Sequence, residues 1–397
     1  MIVSISPYAG LCLLTAIFYL NFFARIVFAP LLPRMEVSLA LSHGEAGSFF
    51  LFLSCGYFLS LLGSSFLAAR VSHQQTIAWS MLAISGSLLL IAAGDSLPFL
   101  RSAFFLLGLT SGLYLPSAVA TISALFARDQ WGRVFAVHEL APNLAFLSAP
   151  LAASLILAYL DWQQSVLLLA VLSFSAGIAY LHFGRGRELY GKPPDLSTWR
   201  QILRQRDFRL LVLVYTMGIS GTLGVYSILP LYLVTDHLMP LQQANTLVGL
   251  SRTGTLLTTL LGGWLADRFG NRRTMAVVLL LSGIATSCFA IAQGPVLFAL
   301  IVLQTSIAVC FFPAAFSVLA GLTAPETRNV VISLAVPFAF VGGGGLLPYL
   351  IAILAETGSF RTGLFCAGLF IAAGTLLVPL IRGGDERTAG ENRVGPE

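Results

Sequence analysis

The chain reads as a succession of almost wholly apolar blocks of about 20 to 25 residues, separated by short breaks of Gly, Pro or clustered charge. As helix, at about 1.5 Å per residue, such a block crosses a hydrocarbon core of about 30 Å. Twelve blocks are present, over about residues 9–32, 46–68, 76–94, 100–126, 135–159, 164–183, 209–234, 244–266, 274–293, 296–322, 330–355 and 361–381. They predict an all-α integral membrane protein of twelve transmembrane helices, here spans 1 to 12.

The longest polar stretch, residues 184–208, divides the spans six and six. This predicts an N-terminal bundle over residues 1–183, a cytoplasmic linker over 184–208, a C-terminal bundle over 209–382 and a tail over 383–397. Mixed charge with Gly and Pro predicts that the tail is disordered. In the linker, Trp199, Ile202 and Leu203 lie along a basic segment that suits an amphipathic helix on an anionic leaflet, and equally a solvated tether.

A shift of about 197 residues brings the two halves into register, the mark of an internal repeat. Leu32-Pro33 falls on Leu229-Pro230, and Tyr114-Leu115-Pro116 on Phe311-Phe312-Pro313. Pro142 meets Pro337 after a small adjustment, and Arg70 meets Arg268. Prolines at matching depths predict that corresponding helices bend in both halves.

Composition agrees with lipid as the solvent: 57% of residues are hydrophobic and 10% charged, against about a quarter charged in soluble domains. The net charge of +5 is explained by topology, because 17 of the 22 basic residues fall in segments on one side when the N-terminus starts inside. That places both termini in the cytoplasm and the protein in the inner membrane. No basic stripe with interleaved aromatics suggests nucleic acid as a partner. Cys12, Cys55, Cys288, Cys310 and Cys366 lie in spans without paired spacing, which predicts packing rather than disulfides or a metal site. The first block lacks a basic n-region and an A-x-A-like exit, so it is expected to stay as span 1.

Gly262-Gly263-Trp264-Leu265-Ala266-Asp267-Arg268-Phe269-Gly270-Asn271-Arg272-Arg273 resembles the G-x-L-A-D-R-x-G-R-R signature between helices 8 and 9 of the major facilitator superfamily. The resemblance, carried also by the six-plus-six repeat, covers essentially the whole chain. It implies two pseudo-symmetric six-helix bundles and secondary transport by alternating access. It also implies a gate formed by Gly263, Asp267, Arg268, Gly270, Arg272 and Arg273, with Asp267 capping a neighbouring helix N-terminus. The corresponding stretch from Ser65 to Gln75 has Ala69 where the acid is expected, so the gate there is weakened or built differently. Ser148-Ala149-Pro150-Leu151-Ala152-Ala153 only weakly echoes the helix 5 kink of drug/proton antiporters.

Charges inside the spans are the candidates for function, because burying an arginine at a helix centre costs about 2.5–3.5 kcal/mol even on the lenient insertion scale. Arg25 lies in span 1, which lines the central cavity in the family. Arg252 lies in span 8, where its placement resembles the helix 8 arginine of monocarboxylate and oxalate carriers, with Val248 where many animal monocarboxylate carriers have an acid. Two guanidinium groups suit a carboxylate, phosphonate or sulfonate, which they bind bidentately. Asn21, Tyr114, Asn143, Tyr226 and Gln304 are further candidates for substrate contact, each equally suited to an interhelical hydrogen bond, and Tyr57 is a weaker one.

Glu139, beside His138, is the clearest acid within a span, suited to carry a coupling proton or to pair at the cytoplasmic end as part of a gate. The run Gly342 to Gly345 lacks the Lys-Ser/Thr of a phosphate loop and is expected to serve close helix packing or flexing. Without a Walker motif, transport is expected to draw on a gradient.

These features imply a carrier of a small organic anion, with protons and membrane lipids as further partners, no cofactor or metal, and a monomeric state. An exporter of amphipathic drugs coupled to protons, or a transporter-like sensor, is the alternative. No H-E-x-x-H and no Ser/His/Asp set in one plane suggests an enzyme.

Overall fold

A computed structural model describes residues 6–191, 196–321 and 328–381. These residues form helices joined by short turns, and no strand occurs among them. Ten passes are individually long and apolar enough to cross a membrane. They are α1 (Pro7–Leu39), α2 (His43–Ala68), α3 (His73–Ala93), α4 (Leu97–Leu125), α5 (Arg128–Ile156), α6 (Trp162–Phe183), α7 (Arg206–Asp236), α10 (Gly294–Leu319), α11 (Ser333–Glu356) and α12 (Phe360–Leu380). Two further passes complete the predicted scheme of twelve. One, α8, is split into Leu241–Leu250 and Thr255–Phe269, and the other, α9 (Asn271–Cys288), opens on two arginines.

Polar residues start the helices where the sequence supplies them. Ser42 with Glu45 and Asp161 with Gln164 form reciprocal capping boxes on α2 and α6, and Ser72 caps α3. The prolines act three to four residues upstream, next to the carbonyl that each leaves without its N–H donor. Thus α1 breaks at Val27 before Pro30, α4 at Gly112–Leu113 before Pro116, α5 at Glu139 before Pro142, and α10 at Val309–Cys310 before Pro313. The α4 and α10 breaks coincide under the repeat shift. In α7 the same depth is instead a π-helical turn, Ser220–Gly224, and α11 has a longer one, Phe340–Leu346. The predicted end of span 1 near residue 32 is too early, since α1 runs on to Leu39 and ends on Ala40 in the left-handed region.

The contacts group the chain into two compact units whose borders fall in the linker, between Pro194 and Asp195, and again inside α7 and α8. One holds Met1–Pro194 with Ser227–Leu250, the other Asp195–Tyr226 with Ser251–Glu397. In the first, the Asn245 side chain donates to the Pro30 carbonyl at 3.2 Å and Ser154 donates to the Gln242 carbonyl at 3.1 Å. In the second, the expected packing role of the four-glycine run is realised. A Cβ at Gly343 would stand 2.6 Å from the Thr216 carbonyl oxygen and 2.7 Å from the Ser220 nitrogen, so glycine lets α11 close directly on the π turn of α7. Leu257, Leu260, Ile291 and Leu376 are exposed on the outside, as apolar side chains in a hydrocarbon solvent can be.

The linker segment Leu196–Arg204 is helical, with Ile202 buried, Leu203 exposed and Arg200 and Arg204 exposed. The cysteines form no disulfide; Cys310 is buried and donates to the Thr258 carbonyl, whereas Cys12 and Cys366 are exposed rather than packed inside. The tail expected to be disordered lies outside the described residues.

Candidate functional site

Arg25 lies in the last turn of the first segment of α1, just before the break that Pro30 imposes, and is 6% exposed. Its guanidinium carbon stands 4.4 Å from the Tyr57 ring centroid and 4.7 Å from that of Phe22. Nε is buried without a hydrogen-bond partner, and among the described residues no carboxylate lies within ion-pair distance of Arg25. Two ring faces offset part of the burial cost, at about 0.5–2 kcal/mol each, and leave directed N–H donors for a further acceptor. Tyr57, the weakest of the sequence candidates, is therefore a wall of this arginine's site.

Arg252 sits where α8 is interrupted between Leu250 and Thr255, and it is also 6% exposed. Its Nη2 donates to the Thr222 carbonyl at 3.2 Å, and its guanidinium carbon is 5.2 Å from the Tyr226 ring centroid. Thr222 belongs to the π turn of α7, whose widened backbone leaves carbonyls open to side chains. The neighbouring carbonyl, of Gly221, accepts from Gln304 Nε2 of α10 at 2.7 Å.

The two halves build the same pairing with the partners exchanged. In one, the arginine is on α1 and the tyrosine on α2; in the other, the tyrosine is on α7 and the arginine on α8. A second pair repeats likewise: Phe18 stacks on Tyr114 at 5.4 Å, and under the repeat shift these become Tyr215 and Phe311, in edge contact at 5.5 Å.

Several sequence candidates are committed to hydrogen bonds with backbone carbonyls. Asn21 donates to the Ser111 carbonyl of α4 at 3.0 Å, the counterpart of Gln304 on Gly221. Tyr114 donates its hydroxyl proton to the Leu14 carbonyl at 2.7 Å. Asn143 is only half-buried and donates to the Glu139 carbonyl one turn back at 3.0 Å.

His138 is fully buried, stacked 4.5 Å from Phe18, with Nε2 at 3.0 Å from the Tyr114 oxygen. Glu139 sits at the α5 break with its side chain 59% exposed, and Oε1 is 3.7 Å from His138 Nδ1. The buried member of this pair is the imidazole, not the acid.

A buried acid escaped the sequence reading. Glu36, in the last turns of α1, is 8% exposed, and its two oxygens lie 3.0 and 3.1 Å from His43 Nδ1. Its only signal in the sequence was an acid and a histidine seven residues apart across a turn.

In the signature loop, Arg268 lies over Trp264 at 5.3 Å and Phe269 at 5.8 Å, and Gly270 has φ +90°. Asp267 is exposed and has no partner among the described residues; the loop after α10, residues 322–327, lies outside them. In the other half, where Ala69 replaces the acid, the start of the linker is tied across the α2–α3 turn. His73 N donates to the Leu189 carbonyl at 2.9 Å, Gly191 N to that of Ala68 at 2.8 Å, and Gln74 Nε2 to those of Tyr180 and Leu181 at 3.2 and 3.1 Å. The α2–α3 turn is thus held to the start of the linker by backbone bonds, with no acid at residue 69. Replacing Gln74 with Leu should cost about 1 kcal/mol, read as a lowered melting temperature with faster tryptic cleavage at Arg187.

The sequence model of the Major Facilitator Superfamily matches residues 11–251 and 224–397. An uncharacterized MFS-type transporter of Bacillus subtilis (strain 168), YceJ, is 22% identical over 379 residues, covering 91% of this chain and 93% of the relative. Among solved structures, a bacterial homolog of the human lysosomal transporter Spinster superposes with a TM-score of 0.81 at 14% identity, covering 98% of this chain and 99% of the other. The nucleoside transporter NupG superposes at 0.78 with 13% identity, covering 93% and 100%. With the repeat, the signature loop and both halves matched, the chain belongs to the major facilitator superfamily.

Proposed function

We propose that this transporter moves a small organic anion, a carboxylate, across the inner membrane by alternating access of its two halves. The observation that carries the reading is Arg25, buried in α1 against the faces of Phe22 and Tyr57 with no carboxylate to neutralise it among the described residues. A cation kept in a membrane helix at this cost, with Nε unspent, fits an anionic ligand that completes its shell. Arg252 beside Tyr226 supplies the same chemistry in the other half. The basic bias of the loops supports cytoplasmic termini, and the proton is the proposed coupling ion.

The test is uptake into proteoliposomes of radiolabelled carboxylates of two to six carbons, each run against its neutral amide. Saturable carboxylate uptake with the amide at least tenfold weaker is expected. Export of amphipathic cations instead would put drug efflux in its place, and tight binding without flux would make the protein a sensor.

A further inference from the structure

Tyr114, His138 and Glu139 make a chain in which the hydrogens can be counted. Tyr114 has one hydroxyl proton and gives it to the Leu14 carbonyl at 2.7 Å. Its oxygen, 3.0 Å from His138 Nε2, is then an acceptor, so Nε2 carries the hydrogen. In the neutral ring Nδ1 is therefore a bare lone pair. That atom is buried, has no hydrogen-bond partner, and stands 3.7 Å from the Glu139 carboxylate. Two acceptors face each other across a gap that one proton would fill.

We infer that His138 Nδ1 is the proton-binding atom of this transporter, loaded through the half-exposed Glu139 and occupied together with the anion near Arg25. This rests on the transport reading for its purpose, not for its chemistry. Water delivers the proton to the Glu139 carboxylate, 59% exposed, and Nδ1 takes it up. The imidazolium then donates from Nε2 to the Tyr114 oxygen and pairs its charge, through Nδ1, with the Glu139 carboxylate at 3.7 Å.

The groups around the ring are few. From α1 it meets Phe18, with Tyr19 and Arg25 further along that helix, and from α4 it meets Tyr114. On its own helix lie Glu139 and the exposed Arg128, Asp129 and Arg133, and Tyr180 of α6 interacts with Tyr114 behind it. Among the described residues Glu139 is the one carboxylate at ion-pair distance from the ring. Toward the arginine the path is aromatic: His138 on Phe18, Phe18 on Phe22 at 6.3 Å, and Phe22 under Arg25. Proton and anion have opposite charge, so each favours the other's binding, and the sign is that of symport.

The test needs no substrate. Imidazole nitrogens of the five histidines are followed by 15N NMR between pH 5 and 9 in lipid nanodiscs, with His138 assigned by its loss in His138→Gln or, if that variant does not fold, by its shift in Tyr114→Phe. Nε2–H should persist throughout and Nδ1 should carry a proton at the acid end of the range that it lacks at the alkaline end. Glu139→Gln should lower that midpoint by about one unit or more, and Arg25→Gln, which removes a positive charge, should raise it. A ring that stays neutral throughout, or an Nδ1–H tautomer at every pH, overturns the assignment. An unmoved midpoint in Glu139→Gln overturns the relay, and one in Arg25→Gln overturns the coupling to the anion. Absence of carboxylate uptake by the wild type would defeat the transport reading while this titration still decides the proton site.

Discussion

Arg25→Ala and Arg252→Ala are each expected to abolish saturable carboxylate uptake, by about 30- to 1,000-fold in the apparent specificity constant. This corresponds to leaving a desolvated carboxylate without its cation, at about 2–4 kcal/mol. Lysine restores the charge but not the planar pair of donors, so Arg→Lys should recover little. The accompanying stability measurement separates the functional reading from a structural one. An arginine held by Tyr57 and Phe22, with no carboxylate at ion-pair distance among the described residues, costs the resting protein desolvation, so Arg25→Leu should melt at the same temperature as wild type or higher while transport is lost. A fall in melting temperature of Arg25→Leu parallel to the loss of transport would make Arg25 a structural residue. For Arg252 the contrast is less clean, because its Nη2 also holds the Thr222 carbonyl.

What made the arginines legible is the solvent. In a chain of 10% charge, a guanidinium in the middle of an apolar block is conspicuous, and so is the repeat that assigns it a depth. The proline-linked breaks of α4 and α10 were legible for the same reason, since a missing N–H acts at a fixed distance along the chain. Partners were not legible. That Arg25 lies against Tyr57 depends on how α1 rotates against α2, and an apolar helix has no periodicity from which to read that rotation. The π turn of α7 was equally hidden, because i→i+4 and i→i+5 bonding use the same apolar composition. Only the structure shows that Gly221 and Thr222 there offer carbonyls to Gln304 and Arg252. Glu139 drew attention over His138 because an acid within a span looks costly. The break before Pro142 turns that acid outward and leaves the imidazole buried instead.

Gly343→Leu is expected to leave little folded protein, and Gly343→Ala to lower stability by about 1–3 kcal/mol, the usual range for overpacking. The cause is backbone against backbone. The new Cβ would fall 2.6 Å from the Thr216 carbonyl oxygen and 2.7 Å from the Ser220 nitrogen, and neither can rotate away as a side chain would. One position on, a Cβ at Gly344 would meet the end of the Leu223 side chain at 2.7 Å, which can change rotamer, so Gly344→Ala should cost markedly less. The two alanine variants change the same atoms in the same glycine run, and their difference isolates the close approach of α11 to α7. Melting followed by thiol-reactive dye in detergent reads both in a background whose other four cysteines are replaced by serine, because buried Cys310 then becomes reactive on unfolding. Equal melting temperatures would show that the two helices part without cost. A selective loss in Gly343→Ala carries a further consequence for function. Pushing α7 away at Ser220 displaces the turn whose carbonyls hold Gln304 and Arg252, so carboxylate uptake by the folded fraction should fall as well, with Gly344→Ala again the milder of the two.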